Sequence, residues 1–534
     1  MAGSSADENQ TPPYVEVDLF RSDLPLQEAV TANGAKDDGE ALSAFGRRWG
    51  TAFMADQARA ANRNPPVLQD NIVTFDPAYH HFMSESMREE LHCRTWMRDG
   101  QPTPPPSEVA RAARFYMVAQ VENGHMCPIT MTRASVAALR ASPDLLRLLL
   151  PKIMAPGYDP SFRPWHEKNA ITLGMGMTEK QGGTDVRANT TCAVRTSEGY
   201  SISGHKWFMS APMSDGFIVL AQAHAGLSCF FMPRFRPDGE VNGLHFQSLK
   251  DKLGNWSNAS AEVEFHDAFA LILGDEGQGV RTILQMVQLT RVDCAISSAG
   301  MMRMALVQAL HHARHRIVFQ KKLIDQPMMR NVLADMALDV EGALAVVLRL
   351  CRSFDLAPHN EFEAARARLL TPAIKYWICK TAPAFIYEAM ECLGGNGYVE
   401  DSILPRLYRE APVNAIWEGS GNVMALDVLR AAARNDDTRS VIQALSDEAG
   451  GADDAVQSIV KALKAPGAES QARGVTERLA RLAAAAALAE SAPDVAEDFI
   501  RFRLNAAPVR NGTYGACDIA SASSRLLERV LPTF

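Results

Sequence analysis

The chain has 534 residues, too many for one ordinary core; at roughly 150 residues per domain, about three or four domains are expected. Hydrophobic residues make up 47% and charged residues 22%, which excludes a chain disordered throughout. The net charge of −8 repels polyphosphate slightly, so any nucleic-acid site needs a local basic patch.

In chain order, Met1 to Pro13 is polar and acidic, without the apolar run of a secretory signal. From about Asp37 to Leu150 the apolar spacing is helical, interrupted by the Pro-rich Gln101–Ser107 (QPTPPPS), read as a rigid exposed connection. From about Asn169 to His266 the pattern turns to strands, with Tyr200–Ser203, Phe217–Gln222 and Leu227–Met232 bounded by Gly, Asp, Ser or Pro. Long helices return from Gly279. In one of them Leu333, Met336, Ala337, Val340, Ala343, Leu344, Val347, Leu348 and Cys351 form an apolar stripe for a bundle core. After Asn435 an acidic linker (NDD) opens a last region with Ala-rich helical stretches such as Glu477–Glu490. The longest apolar run, Leu482 to Ala489, is too short to span a bilayer, so no membrane partner is expected. Nine cysteines without a CxxC pair fit reduced thiols better than disulfides or a zinc site, and no metal is expected. The expectation is a soluble, cytoplasmic, multidomain protein.

Three stretches could carry chemistry. Gly174–Asp185 (GMGMTEKQGGTD) opens like a dinucleotide loop, but no GxGxxG completes it. Its Gly176, Gly182 and Gly183 beside Thr178 and Thr184 offer close backbone approach and hydroxyls, a cradle for a cofactor; a tight turn with an exposed Glu179 is the alternative. In Glu391–Glu410, Gly394, Gly395 and Gly397 end a helix, as glycines at a C-cap commonly do. In Trp417–Asn422 (WEGSGN), a carboxylate beside an aromatic could sit desolvated as a general base, or be a Glu hydrogen-bonded at a helix start.

Taken together, Gly176–Ala188 and Glu391–Glu410 resemble the two signatures of the acyl-CoA dehydrogenases, in the same order, and Trp-Glu-Gly-Ser falls where that family has its Tyr-Glu-Gly-Thr base loop. MGMTEKQGG, GHKWF, LSCFF, LKDKLGN-x-SNA, LPRLYRE and IWEGSGN resemble the AidB branch more closely, the flavoproteins of the adaptive response to DNA alkylation. The resemblance covers roughly residues 60–432. It implies an α+β protein of the acyl-CoA dehydrogenase fold with an extra C-terminal helical domain. The implied segments are an N-terminal extension (1–36), an N-terminal helical domain (37–168), a middle β-barrel-like domain (169–275), an FAD-binding four-helix bundle (276–435) and the additional helical domain (436–534), with FAD between the middle domain and the bundle.

The implied flavin loop is Met175, Gly176, Met177, Thr178, Gly182, Gly183 and Thr184, with Thr178 near the isoalloxazine and Thr184 at the pyrophosphate. Phe208, Met209 and Ser210 match the family's Trp-x-Thr contact; Phe208 keeps a stacking face and Ser210 a hydroxyl. Ile416, Trp417, Gly419, Ser420 and Asn422 close over the flavin and adenosine. Arg316 and Phe319 fit an Arg-x-x-Phe-Gly motif with Gln320 in place of Gly, and Gln326 follows Phe319 by seven residues where many members have eight. In the family these residues and the loop of Gly394, Gly395 and Gly397 reach the FAD of a neighbouring subunit, so a homotetramer is the implied assembly.

The resemblance also implies a mechanism. The residue equivalent to Glu418 removes the α-proton of an acyl thioester while the β-hydride passes to the flavin, with the thioester carbonyl polarised by a pre-formed set of donors. Arg291 matches a family arginine at the substrate mouth, or binds an internal carboxylate. Trp256 stands where relatives usually carry Arg. The first expectation is an FAD-dependent dehydrogenase of short branched acyl-CoA with Glu418 as base. The alternative is a flavoprotein that binds and protects double-stranded DNA, its catalysis weak or vestigial. A nitroalkane-oxidase-like reading is disfavoured because such enzymes use Asp where this chain has Glu418. From Asp436 onward there are fourteen acidic and eleven basic residues, a net charge of −3. Any DNA contact is therefore expected to be weak, through Arg473, Arg478, Arg481 and the Arg501/Arg503 pair on one face, without disturbing FAD.

Overall fold

The computed structural model describes residues 9–96, 107–434, 437–465, 467–505, 514–516 and 519–532. Of the segments singled out above, residues 1–8, 101–106 of the Pro-rich connection, and 435–436 of the acidic linker lie outside the described residues. The chain forms two compact units: Asp56–Thr103 with Glu122–Arg291, and Met1–Ala55 with Pro104–Val121 and Val292–Phe534.

The first unit is built on a sheet of seven strands among the described residues: Leu173–Gly176, Cys192–Arg195, Tyr200–Ser210, Gly216–Ala223, Gly226–Pro233, Leu244–Leu249 and Ser260–Leu273. Leu173–Gly176 pairs antiparallel with Tyr200–Ser210 and parallel with Gly216–Ala223, while Tyr200–Ser210 also pairs with Ser260–Leu273, so the sheet curls on itself. Ile202, Phe217, Val219, Phe230, Met232, Val263 and Phe265 fill its interior. The expected strand at Tyr200–Ser203 runs on to Ser210, because register shifts after Ile202 and Lys206 let it continue past Gly204 rather than stop. Helices Pro77–Arg88, Met126–Leu139 and Pro143–Ile153 belong to the same unit.

Two buried charges shape this unit. Lys206 Nζ lies 2.6 Å from Glu179 Oε1, with both side chains fully buried. The alternative of an exposed Glu179 is therefore corrected: the turn exists, with Glu179 and Gly182 exchanging backbone hydrogen bonds, but its carboxylate points inward. Burial alone would raise the Glu179 carboxyl; the Lys206 ammonium and donors from Thr190 and Thr191 bring it down to about 2. Burial lowers the Lys206 ammonium to about 8.

The second unit is helical. Helix Pro327–Leu356 carries the expected stripe, but it is buried nearly all round from Leu333 to Leu350, Asp335, Asp339 and Glu341 included. Carboxylates in such a position need partners. The C-terminal residues supply them: Arg503 binds Asp335 at 2.5 Å and Asp339 at 2.7 Å, and Arg529 binds Glu341 at 2.9 Å. Arg503 is thus buried and ion-paired, which removes it from the expected DNA-facing set. Helix Glu361–Cys392 starts on Asn360, whose side chain accepts from Glu363 N, and helices Gly279–His315 and Gly421–Arg434 complete the group. Seven of the eight described cysteines are buried, and all eight are free thiols. No helix among the described residues is long and apolar enough to cross a membrane.

Two stability tests follow from these charges. Arg503→Met leaves two buried carboxylates without their cation and should cost about 3–5 kcal/mol, read as a lower urea midpoint; an unchanged midpoint would show that the pair is idle. Because the Glu179 carboxyl sits lower in the fold than its ordinary 4.5, its contribution is full above that value and disappears as pH falls toward about 2. The wild type should therefore lose stability over this acid window relative to a Glu179→Gln/Lys206→Met double variant.

Candidate functional site

The β unit carries the first of the glycine-rich segments and the helical unit the other two. In the β unit, Met175 pairs with Ser210 and Gly176 with Met209, so the loop segment and the Phe208–Ser210 strand lie side by side. The approach is close: a Cβ on Gly174 would meet the Ser210 carbonyl at 2.4 Å, so no other residue fits there. Strand alternation turns Met209 into the core and leaves Phe208 and Ser210 on the opposite face, Phe208 being 47% exposed. Thr178 and Ser210 are half-buried and Thr184 is exposed; among the described residues none of the three hydroxyls has a hydrogen-bond partner. An uncovered aromatic face, three free hydroxyls and closely packed glycine backbone suit a planar, phosphate-bearing cofactor such as FAD. Met177, Gly182 and Gly183 complete the loop; the Met177 carbonyl accepts from Asn189, 3.0 Å away.

Sequence reasoning missed Lys250 in this region. Its Nζ sits 3.2 Å from the centroid of the Trp207 ring and 4.7 Å from that of Phe208, and it pairs with Glu262 at 2.6 Å. Trp256, the departure from the family pattern, donates its indole N–H to the Lys252 carbonyl at 2.7 Å. Arg291 is buried within helix Gly279–His315.

In the helical unit, the base loop follows helix Leu404–Asn414. Trp417 donates its indole N–H to Asn414 Oδ1 at 3.0 Å, and Asn414 donates onward to Ser297 and Ser298. Glu418 is half-buried and adopts φ +58°, followed by Gly419 at φ +105°. A left-handed backbone is uncommon for a residue other than glycine, and such outliers concentrate at functional sites. Lys375, buried on helix Glu361–Cys392, donates from Nζ to the carbonyls of Trp417 at 2.8 Å and Gly419 at 2.7 Å, the two residues flanking Glu418. Gly421 opens the next helix against Tyr376 and Lys380, where a Cβ would lie only 3.1–3.5 Å away. Ile416 is 66% exposed, and Ser420 and Asn422 are exposed. Arg473 Nε donates to Asn422 Oδ1 at 2.7 Å. This contact ties Arg473 to the loop expected to hold the flavin.

The Arg316 group sits in the same unit. Ile317–Val318 and Lys321–Lys322 form a hairpin turned by Phe319 (φ +52°) and Gln320 (φ +64°), so Gln320 takes the left-handed position where the family has glycine. Phe319 is 90% exposed, and Gln326 donates to the Val318 carbonyl at 3.3 Å. Arg316 donates to the Asn9 carbonyl at 2.7 Å, while Gln10 accepts from Asn396, between Gly395 and Gly397. Residues 9–10 therefore touch both groups that were expected to act together. Gly394, at φ +60°, precedes the short helix Gly395–Tyr398.

One constellation elsewhere imitates a hydrolase. Ser86 Oγ, His125 Nε2 and His125 Nδ1 with Glu122 follow the order of a catalytic triad, at 2.8 and 2.5 Å. All three side chains are fully buried, and Glu122 also accepts from Ser257, so the group braces the β unit and has no access to a substrate.

Comparison with known proteins agrees with this geometry. Residues 9–160 match the adaptive response protein AidB N-terminal domain, residues 174–268 the acyl-CoA dehydrogenase middle domain, and residues 277–433 the acyl-CoA dehydrogenase C-terminal domain. AidB of Escherichia coli (strain K12) is 45% identical over 518 residues, 93% of this chain and 94% of that protein. The crystal structure of Caenorhabditis elegans ACDH-11 in complex with C11-CoA shares the fold, with a TM-score of 0.84 at 24% identity over 93% of both chains. So does an acyl-CoA dehydrogenase complexed with FAD from Bacillus anthracis, with a TM-score of 0.63 at 16% identity over 85% of this chain and 79% of that one. The expected α+β fold and FAD cofactor are borne out. The chain belongs to the acyl-CoA dehydrogenase family, in its AidB branch, and is an FAD-dependent oxidoreductase.

Proposed function

We propose that the protein dehydrogenates short branched acyl-CoA thioesters at the α,β bond, with Glu418 as the base, as part of the adaptive response to DNA alkylation. The observation that carries the chemistry is the base loop, which displays a carboxylate on left-handed backbone with both neighbouring carbonyls tied to a buried lysine. Glu418 takes the α-proton, and Arg291 acts on the substrate. Phe208 and Ser210 offer a stacking face and a hydroxyl to the flavin, Thr178 and Thr184 bind its ring edge and pyrophosphate, and Met175–Thr184 supplies backbone. Ile416, Trp417, Gly419, Ser420 and Asn422 hold its remaining length. When bound, FAD supplies the hydride acceptor.

We also assign Arg316, Phe319, Gln326, Gly394, Gly395 and Gly397 to the cofactor of a neighbouring subunit in a homotetramer. The exposed Phe319, Met328 and Tyr398 support this, being 90%, 85% and 80% accessible in the single chain. A cytoplasmic location fits the buried free thiols. The alkylation-response role rests on the match of residues 9–160. The DNA-protecting reading has less behind it. Arg481, Arg503, Arg525 and Arg529 are paired with carboxylates, and Arg473 and Arg478 bond Asn422 and Ser458. Any duplex contact is left to residues such as Arg439, Lys461, Lys464 and Arg501.

Anaerobic titration with an acyl-CoA panel should bleach the flavin most strongly with short branched chains. Glu418→Gln should keep FAD and lower the bleaching rate by about two orders of magnitude or more; wild-type rates in that variant move the base elsewhere. Fluorescence anisotropy with a short duplex should give weak binding that falls steeply with salt, and binding that ignores salt would contradict phosphate contact. Light scattering should report four chains, and a monomer would remove the shared-cofactor assignment.

A further inference from the structure

We infer that Lys375 is a positioning residue for the base: by clamping the carbonyls on both sides of Glu418, it fixes the carboxylate's place and adds a positive charge that favours its ionised form. The inference rests on Glu418 being the base proposed above.

The clamp dictates the backbone. On an extended chain, carbonyl oxygens two residues apart lie ~6.6 Å from each other, too far for one nitrogen to reach at 2.8 and 2.7 Å. The chain between them must turn, and Glu418 at φ +58° is that turn. Glycine would adopt this conformation more readily, so a glutamate at this position is held there by its surroundings.

The charge matters separately. A buried lysine is ordinarily matched by a carboxylate, as Lys206 is by Glu179 in the other unit. Among the described residues Lys375 forms no ion pair; its two hydrogen-bond partners are neutral carbonyls. Cys294 and Cys379 are buried thiols kept protonated by burial, and for Cys294 the field of Lys375 acts in one direction and that of Glu418 in the other. Asp293 is spent on Arg111 in a bidentate pair at 2.7 Å. Tyr376 and Lys380 lie under Gly421, with Glu477 and Arg473 acting on Tyr376. Lys375 is thus a buried cation bonded directly to the loop that bears Glu418.

The test compares wild type, Lys375→Met, Lys375→Gln, Lys375→Arg and Glu418→Gln as full-length, FAD-loaded proteins. It measures the pH dependence of flavin bleaching by saturating acyl-CoA, and hydrogen exchange of the peptide spanning residues 414–422. Lys375→Met should shift the acid limb upward by roughly one pH unit, lower kcat with KM little changed, and speed exchange of the peptide. Lys375→Arg should restore both readouts. Lys375→Gln, which keeps donors but no charge, should restore protection but not the acid limb, and it serves as the charge test if Lys375→Met does not fold. An acid limb that stays at its wild-type position in both uncharged variants, with Glu418→Gln inactive, overturns the inference while sparing the base. A fully active Glu418→Gln overturns both.

Discussion

An ammonium group cannot remain in a dry protein interior without oxygen atoms gathered around it. Two lysines impose that requirement here, one in each unit. Lys206 is answered by the Glu179 carboxylate, which lies in the turn closed by Glu179 and Gly182 and points inward. Lys375 is answered by the carbonyls of Trp417 and Gly419, which bends the backbone at Glu418 into a left-handed turn. The electrostatic consequences differ. The first pair is neutral overall and structural. The second leaves a buried positive charge held by neutral backbone carbonyls on either side of Glu418.

The same requirement, with the signs reversed, explains the C-terminal helices. Helix Pro327–Leu356 is buried on nearly every side and still carries Asp335, Asp339 and Glu341. Arg503 and Arg529 reach inward to meet them, and Tyr514 donates to Asp339 at 3.0 Å. Arginines used in this way do not face solvent. This region directs much of its positive charge toward the bundle. Arg473 extends that role to the Trp417–Asn422 loop through Asn422, so the added helices are bonded to the segment proposed above to hold the flavin.

Much of this was legible in the sequence, for identifiable reasons. Glycines at close approaches mark the two loops: at Gly174 a Cβ would run into the Ser210 carbonyl, and at Gly421 it would press on the Lys380 and Tyr376 side chains. The strand Ser260–Leu273 begins inside the stretch read as strands but runs past its expected end at His266; Ala261, Val263 and Phe265 alternate with Glu262 and Glu264, and that charged outward face keeps it from standing out as a core strand. The apolar stripe of helix Pro327–Leu356 was read correctly, but not its full burial, because single acidic residues look like a solvated face until their distant arginines are known. The inward turn of the Glu179 carboxylate is hidden for the same reason: Lys206 lies 27 residues away, and no local pattern announces the pair. Lys375 stands 43 residues before Glu418 and contacts backbone alone, so no side-chain motif could reveal it.

The account turns on whether Glu418 removes an α-proton. Solvent exchange at that carbon measures the event without requiring net oxidation. The FAD-loaded protein would be incubated anaerobically in deuterated water with a short branched acyl-CoA, and deuterium at the α-carbon followed by mass spectrometry in wild type and in Glu418→Gln. The account predicts incorporation by the wild type and none above background in the variant. Equal incorporation in both, or none in either while the flavin is reduced, would contradict it.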